Sequence, residues 1–270
     1  MDAREVWSSV AQAYARQADR AFQAGSVISE WLLEAVSAGP DTTILDLAAG
    51  PGGTSFMAAE RGARVICSDN APGMVELAER TAAERGVTGI DFRVLNAMQL
   101  DVADRTIDGV VCRYGLMLMP DPATVLSEAG RVLRPGGAVA YAVWGPAQEN
   151  VWAGIVSLAA LRCGFAVPPP PGPGGMFVLA EHDENVRLAR AAGFGEVEVT
   201  QLRAPMRFSS FDEYWSLRMD ASPTSRRIVE PLTPDEVVAV RRAAEDLAEH
   251  ALQADGSLTF DTLTVAVRAS

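Results

Sequence analysis

The chain is poor in the residues that most often carry metal, redox or general-base chemistry. Of its 270 residues only two are histidine, His182 and His250, and three are cysteine, Cys67, Cys112 and Cys163. The cysteine spacing forms neither a disulfide framework nor a C-x-x-C metal site. Cys67 and Cys112 fall in apolar, strand-like runs, where buried thiols are expected. No cluster has metal-ligand spacing, so no metal is expected, and a magnesium-dependent catechol mechanism is disfavoured. No apolar run reaches membrane-spanning length, and Met1 to Arg20 is charged and helical rather than a signal peptide. The expected compartment is a reducing cytoplasm, with no membrane partner. There is no Lys/Arg cluster and the formal net charge is −12, which argues against a nucleic-acid partner. The acidic balance reads as solubility.

What is present suits a filled core. Hydrophobic residues make up 49% and charged residues 21% of the chain, as in one large α/β domain with insertions. Residues 3–37 read as two helices, ended by Gly39-Pro40. A strict alternation then begins. Strands are expected at 42–47, 63–68, 90–95, 107–112 and 138–144. Helices are expected at about 53–61, 72–85 and 122–133, with prolines opening the last two. Such alternation implies a parallel sheet with helices on both faces, a doubly wound Rossmann-like fold. After Trp144 the rhythm changes. An apolar helix at 151–163 precedes the segment 168–175, too rich in proline and glycine for regular structure and read as a surface loop or hinged lid. Further helices are expected at 184–192, 211–218 and 234–252, with strands at 196–202 and, antiparallel, at 263–268. The division is a single domain, 1–270. Its core is about 40–145, 193–202 and 258–268; acceptor-side or lid elements are about 1–37, 151–181 and 205–252.

The run TILDLAAGPGGT, residues 43–54, is the most informative stretch. A short apolar strand ends on an acid, and a glycine turn leads straight into a helix. Clefts of this kind at strand carboxyl ends bind nucleotide-like ligands. Gly50 and Gly52, without a Cβ, let the backbone turn sharply and approach a ligand. Asp46 precedes the glycines. A carboxylate there suits an ammonium or hydroxyl groups and repels a pyrophosphate. The reductase fingerprint G-x-G-x-x-G/A has serine at its last place here, Ser55, and gives Asp46 no task.

Four segments in order, ILDLAAGPG, ICSDNAPGMVELA, FRVLNAMQL and RVLRPGGAVAYAVWG, resemble the motifs of class I S-adenosylmethionine-dependent methyltransferases. The resemblance covers about residues 42–145 and is nearest to the small-molecule branch related to ubiquinone and menaquinone biosynthesis. It implies S-adenosylmethionine as cofactor, with Asp46, Ala48, Gly50 and Gly52 cradling its methionine half and Asp46 facing the α-ammonium. Ala48 stands where many relatives have glycine; negative φ is expected there. Asp69 is placed to accept hydrogen bonds from both ribose hydroxyls, beside Asn70, either of which is also a candidate helix cap. Met74 is a candidate adenine contact or a core residue. Asn96 replaces the aspartate common in relatives and retains an acceptor oxygen for the adenine amino group, with the Ala97 and Met98 amides facing the ring. Arg113 and Tyr114 follow the fourth strand, where donor meets acceptor. Arg113 is a contact for the donor carboxylate or an anionic acceptor, or a surface ion pair. Tyr14 closes over the donor or simply packs.

The acceptor is expected to be a small organic molecule, a natural product or quinone-like compound, among Trp152, Phe165, Met176, Phe177, Phe208, Tyr214, Trp215 and Met219. In-line alignment of acceptor, methyl and sulfur supplies most of the rate. Where a base is needed, His182 is the candidate. A homodimer is left open. So are a cyclase or decarboxylase using the same cofactor, a nicotinamide-dependent reductase, and a cofactor-sensing binding protein.

Overall fold

The computed structural model describes residues 3–167 and 175–270; within the first helix, side chains are described at 4–9, 11, 13–16 and from 26 onward. The segment 168–174, read above as a lid, lies outside the described residues. The strands are β1 (Thr43–Leu47), β2 (Arg64–Asp69), β3 (Ile90–Val94), β4 (Ile107–Arg113), β5 (Leu133–Trp144), β6 (Val197–Arg203), β7 (Met206–Phe208), β8 (Leu258–Phe260) and β9 (Leu263–Ala269). The helices are α1 (Ala3–Ala35), α2 (Gly53–Glu60), α3 (Pro72–Arg85), α4 (Pro122–Val132), α5 (Ile155–Arg162), α6 (His182–Ala191), α7 (Phe211–Ala221), α8 (Pro223–Val229) and α9 (Pro234–Ala248).

Seven strands form one sheet in the order β3-β2-β1-β4-β5-β9-β6, in which β9 alone runs antiparallel to its neighbours. The period-2 alternation of side chains decides what each face buries. Ile44, Val65, Val111, Ala138, Ala140 and Ala142 face α1 and α2, meeting Ile28, Leu32, Leu33 and Met57. Leu45, Leu47, Val110, Val139, Tyr141 and Val143 face the other way, into the larger cluster with Val125 and Leu126 of α4, Leu188 of α6 and, further round, α5 and α9. Burying a leucine such as Leu32 or Leu33 contributes about 1.5–3 kcal/mol each, and both have no exposed surface. The order reverses between β1 and β4, which opens a crevice at their carboxyl ends, the expected ligand position in open α/β sheets.

Local signals set the helix starts. Asp121 caps α4, accepting from the amides of Ala123 at 3.1 Å and Thr124 at 3.2 Å, and Pro122 follows at the first helical position. Thr233 and Glu236 form a capping box on α9.

Several expected elements differ. The two helices of 3–37 are one, α1. No proline interrupts it. Its two apolar faces serve different clusters: Trp7, Ala11, Tyr14 and Ala15 pack on Ala71, Met74 and Leu77 around the start of α3, while Ile28 to Val36 pack on the sheet. The helix at 151–163 begins as a single 3-10 turn, Val151–Ala153, and α5 starts after Gly154. Residues 258–260 belong not to the main sheet but to a separate pair, β8 against β7. No helix of the described residues is long and apolar enough to cross a membrane.

Candidate active site

The crevice above β1 and β4 opens into a cavity of about 710 Å³, within the size of small-molecule sites. Its floor is the strand–turn–helix unit read from the sequence. Gly52 caps α2 at φ 86°, and a Cβ there would lie 2.7 Å from the Phe56 ring. Gly50 also has positive φ, 54°, and nothing within 4 Å on its side-chain face, so bare backbone is presented to the cavity.

Ala48 departs from expectation. Its φ is +52°, in the left-handed region that disfavours any Cβ, not the negative φ assumed above. The backbone here is set by the turn, which the Ala49 amide anchors to the Ser68 carbonyl at 2.9 Å. Alanine is held in it at a cost.

Asp46 is 1% exposed. Ser55 Oγ of α2 donates to its Oδ2 at 2.7 Å, while Oδ1 is buried and has no partner. Burial pushes this carboxyl up to about 7, against the Ser55 hydrogen bond and the positive Arg113. Asp69, at the tip of the adjacent strand, takes an amide on each oxygen: Gly50 N donates to Oδ2 at 3.1 Å and Ala71 N to Oδ1 at 2.9 Å. Its pKa is also raised by burial, with the main-chain amides of Ala71, Gly50 and Asn70 opposing. Asp69 therefore takes the amide of Ala71, the residue before α3, and ties the glycine turn to β2. Asn70, the other candidate, is exposed on the cavity rim.

Met74 is 2% exposed and lines the cavity while packing in the α1–α3 cluster. Asn96, Ala97 and Met98 line the wall beyond β3. Asn96 Oδ1 accepts from the Met98 amide at 3.0 Å. That amide is thus already engaged within the loop, contrary to its expected place against a ring nitrogen. Tyr14 reaches the cavity from α1, edge-on to Trp7 with ring centroids 6.3 Å apart. Its phenol is raised by desolvation; Arg113 and Arg218 oppose this and Asp69 adds to it. Arg113 ends β4 on the cavity wall.

Tyr114 stacks on Trp144 at 4.1 Å and 7°, and its hydroxyl shares a 2.7 Å hydrogen bond with Thr264 Oγ1 of β9. Burial pushes that hydroxyl up to about 12. It is engaged in joining β4, β5 and β9, which speaks against the catalytic role considered for it. His182 is not in the cavity wall. Its side chain is 61% exposed at the start of α6 and lies 3.0 Å from Asp183. The base assigned to it has no geometric footing, since the lid-side segment that pointed to it precedes a helix on the outer surface. His250 is likewise exposed, bonded to the Leu247 carbonyl at 2.9 Å.

Of the expected acceptor residues, Trp152, Met176 and Phe208 line the cavity. Tyr214 and Trp215 instead pack α7 into the core; the Tyr214 hydroxyl donates to the Trp152 carbonyl at 2.6 Å. Sequence reading missed Arg218, which lines the same wall. The available signal was a cation one turn after the aromatic pair Tyr214 and Trp215, on the same side of a helix that also carries Phe211.

Residues 44–137 match the family described as Methyltransferase domain. Over 113 residues the chain is 37% identical to an uncharacterized protein of Mycobacterium tuberculosis, covering 42% of this chain and 41% of that protein. Over 111 residues it is 37% identical to the demethylmenaquinone methyltransferase of Thermus thermophilus, covering 40% of this chain and 50% of that enzyme. The match thus spans about two fifths to one half of these relatives. The crystal structure of the YcgJ protein from Bacillus subtilis shares the fold, with a TM-score of 0.60 over 89% of this chain and 96% of that one at 18% identity. The sheet order is that of the Rossmann-like fold of the methyltransferase neighbours, and residues 44–137 resemble a methyltransferase domain. The same core is similar to a demethylmenaquinone methyltransferase.

Proposed function

We propose that this chain transfers the methyl group of S-adenosylmethionine to a small organic acceptor held between the strand tips and the helices α1 and α7. One observation carries the reading. Two carboxylates, Asp46 and Asp69, stand at the tips of neighbouring parallel strands on one cavity, with the bare backbone of Gly50 between them; Gly52 lies behind it, closed off by the Phe56 ring.

The donor set fits the cofactor. The unpartnered Asp46 Oδ1 is a buried acceptor that an ammonium satisfies. Main-chain amides engage both Asp69 oxygens, and a carboxylate with about four acceptor sites still has capacity for ribose hydroxyls. Asn96 and Met74 border the adenine side, and Tyr14 covers the cofactor from α1. The cofactor, when bound, supplies an electrophilic methyl on a sulfonium. The chain supplies alignment and exclusion of water: Tyr14, Arg113 and the Trp144–Trp152 pair, whose rings lie 5.2 Å apart, bound the space where the acceptor must approach in line. The apolar walls favour a natural-product or quinone-like acceptor, in keeping with the Thermus relative's substrate class. Three free cysteines, two of them buried, accord with a reducing cytoplasm.

Calorimetric titration with S-adenosylmethionine, S-adenosylhomocysteine and NADH tests the assignment. The two sulfur nucleosides should bind and NADH should not. Asp46→Ala and Asp69→Ala should each weaken cofactor binding by about tenfold or more, a loss of roughly 1.4 kcal/mol, with unchanged circular dichroism. Unaltered affinity in both variants would refute the site.

A further inference from the structure

Arg218 is a buried cation without a counter-charge. It is 8% exposed on α7. Its Nη2 donates to three neutral oxygens: the Ala153 carbonyl at 3.0 Å, Ser222 Oγ at 3.1 Å and Ser225 Oγ at 3.2 Å. Its Nε is buried with no partner at all. The guanidinium carbon lies 5.2 Å from the centre of the Trp152 ring. The ionisable groups that face it are the phenols of Tyr214 and Tyr14, and no carboxylate among the described residues pairs with it. Asp220, two residues along the same helix, is turned to Arg16 of α1 at 2.5 Å.

The cavity is electrically two-ended. Its acids, Asp46 and Asp69, both sit at the strand tips; its cations include Arg113 and, at the helical end, Arg218 and Arg207. The cavity that Arg218 lines carries Trp152, on which its guanidinium lies, and also Leu217, Met206 and Phe208. This runs against the composition of the chain, whose formal net charge is −12 and whose cations are all arginine. A guanidinium cannot escape burial by losing its proton. A neutral donor would serve the three oxygens without the penalty of a buried unpaired charge. The position is therefore completed by an anion, and the planar fork matches a carboxylate or a comparable anionic oxygen group.

We propose that Arg218 anchors an anionic oxygen group of the acceptor, and that the acceptor is an aromatic or polycyclic organic anion, a carboxylate or an ionised enol, with its ring body on Trp152. This rests on the methyl-transfer reading for which end of the cavity is the acceptor end; the charge argument itself needs only the residues. Arg218 is a binding and positioning residue, and the strand-tip carboxylates are thereby left for the cationic donor.

Matched ligand pairs test it on the S-adenosylhomocysteine-loaded protein by calorimetry. Naphthoate is compared with naphthamide, and hydroxynaphthoquinone, ionised at neutral pH, with its methyl ether. In at least one pair the anion should bind about tenfold tighter or more, and the pair that responds identifies carboxylate or enolate as the group. Arg218→Gln should erase the preference while S-adenosylhomocysteine affinity stays within about twofold. Arg218→Lys, which keeps charge but loses the fork, should retain only part of it. Equal or absent binding of both members in both pairs overturns the proposal, and so does a preference that survives in Arg218→Gln. The wild-type comparison decides even where a variant fails to fold. Failure of S-adenosylhomocysteine to bind would strike the donor assignment instead, and the pairs are then run on the protein alone.

Discussion

The methyl of Ala48 fills the space that a side chain on Gly115 would need: a Cβ built on Gly115 falls 2.5 Å from Ala48 Cβ and 3.0 Å from Cys112 Sγ. Gly115 itself has ordinary right-handed backbone, φ −96°, so its lack of a side chain is steric, not conformational. Ala48 sits at φ +52°, so the two positions trade one methyl between them.

Gly115→Ala should therefore destabilise the fold by about 1–3 kcal/mol through overpacking. Ala48→Gly relieves a left-handed alanine and should be neutral or stabilising by up to about 1 kcal/mol. In the double variant part of the Gly115→Ala loss should return, a coupling of at least about 0.5 kcal/mol. Urea denaturation of the four proteins measures the cycle. Strict additivity would show that the contact is not felt.

Asp46 gives the site a pH dependence with a definite sign. Its carboxyl is raised to about 7 by burial, and an ammonium beside it favours the ionised form. Cofactor affinity should thus rise with pH through about 7 and level off above, with protons released on binding near that pH. In Asp46→Asn the rise and the proton release should both shrink. For folding the sign is opposite. A raised acid binds more protons folded than unfolded, so its contribution to stability is full below the unfolded value of about 4 and is lost as pH climbs through about 7. Asp46→Asn should gain stability relative to wild type on going from about pH 5 to about pH 8. Denaturation at both pH values, with buffer-dependent binding heats, checks the pair of signs.

Tyr114 and His182 separate structure from chemistry. Tyr114→Phe keeps the stack on Trp144 and loses the Thr264 hydrogen bond, which should cost about 0.5–1.5 kcal/mol of stability and leave the rate within a few-fold. A large fall in kcat with unchanged stability would return the hydroxyl to the reaction. His182→Ala should leave kcat and KM within about twofold, since an exposed side chain beyond hydrogen-bond reach cannot serve as base.

Arg16 of α1 pairs with Asp220 of α7 across the helical side of the site at 2.5 Å. Breaking that exposed link should scarcely alter the melting temperature. It should loosen α1, which carries Trp7 and Tyr14 against the cavity. For Arg16→Ala the expected readout is faster release of S-adenosylhomocysteine in stopped-flow fluorescence; an unchanged off-rate would show that α1 is held by packing alone.

The unit from Thr43 to Glu60 was legible in sequence because its determinants are local: an apolar run, an acid and glycines at positions the turn requires. Asp69 was legible for the same reason, as the last residue of a short alternating strand. The starts of α4 and α9 followed from Pro122 and from Thr233-Pro234, while the Asp121 cap of α4 emerged only in the structure. What escaped was set by distant partners. The φ of Ala48 depends on the turn anchored to Ser68, twenty residues away. The Tyr114 hydroxyl answers to Thr264, 150 residues away. The unbroken α1 carries two faces for two clusters, which a single periodicity window splits. The short β7 and β8 pair across 50 residues with little alternation to announce them. His182 stood near the lid in sequence but on the outside in space, and Arg218 entered the wall only through the packing of α7.

Both oxygens of Asp69 already hold main-chain amides, one from the glycine turn and one from the entry to α3. Under the proposed function, the carboxylate that meets the nucleoside would thus also be the rivet of the socket that receives it. Because those main-chain ties do not depend on a ligand, the same mould would be left standing after product departs, ready for the next charge of methyl donor.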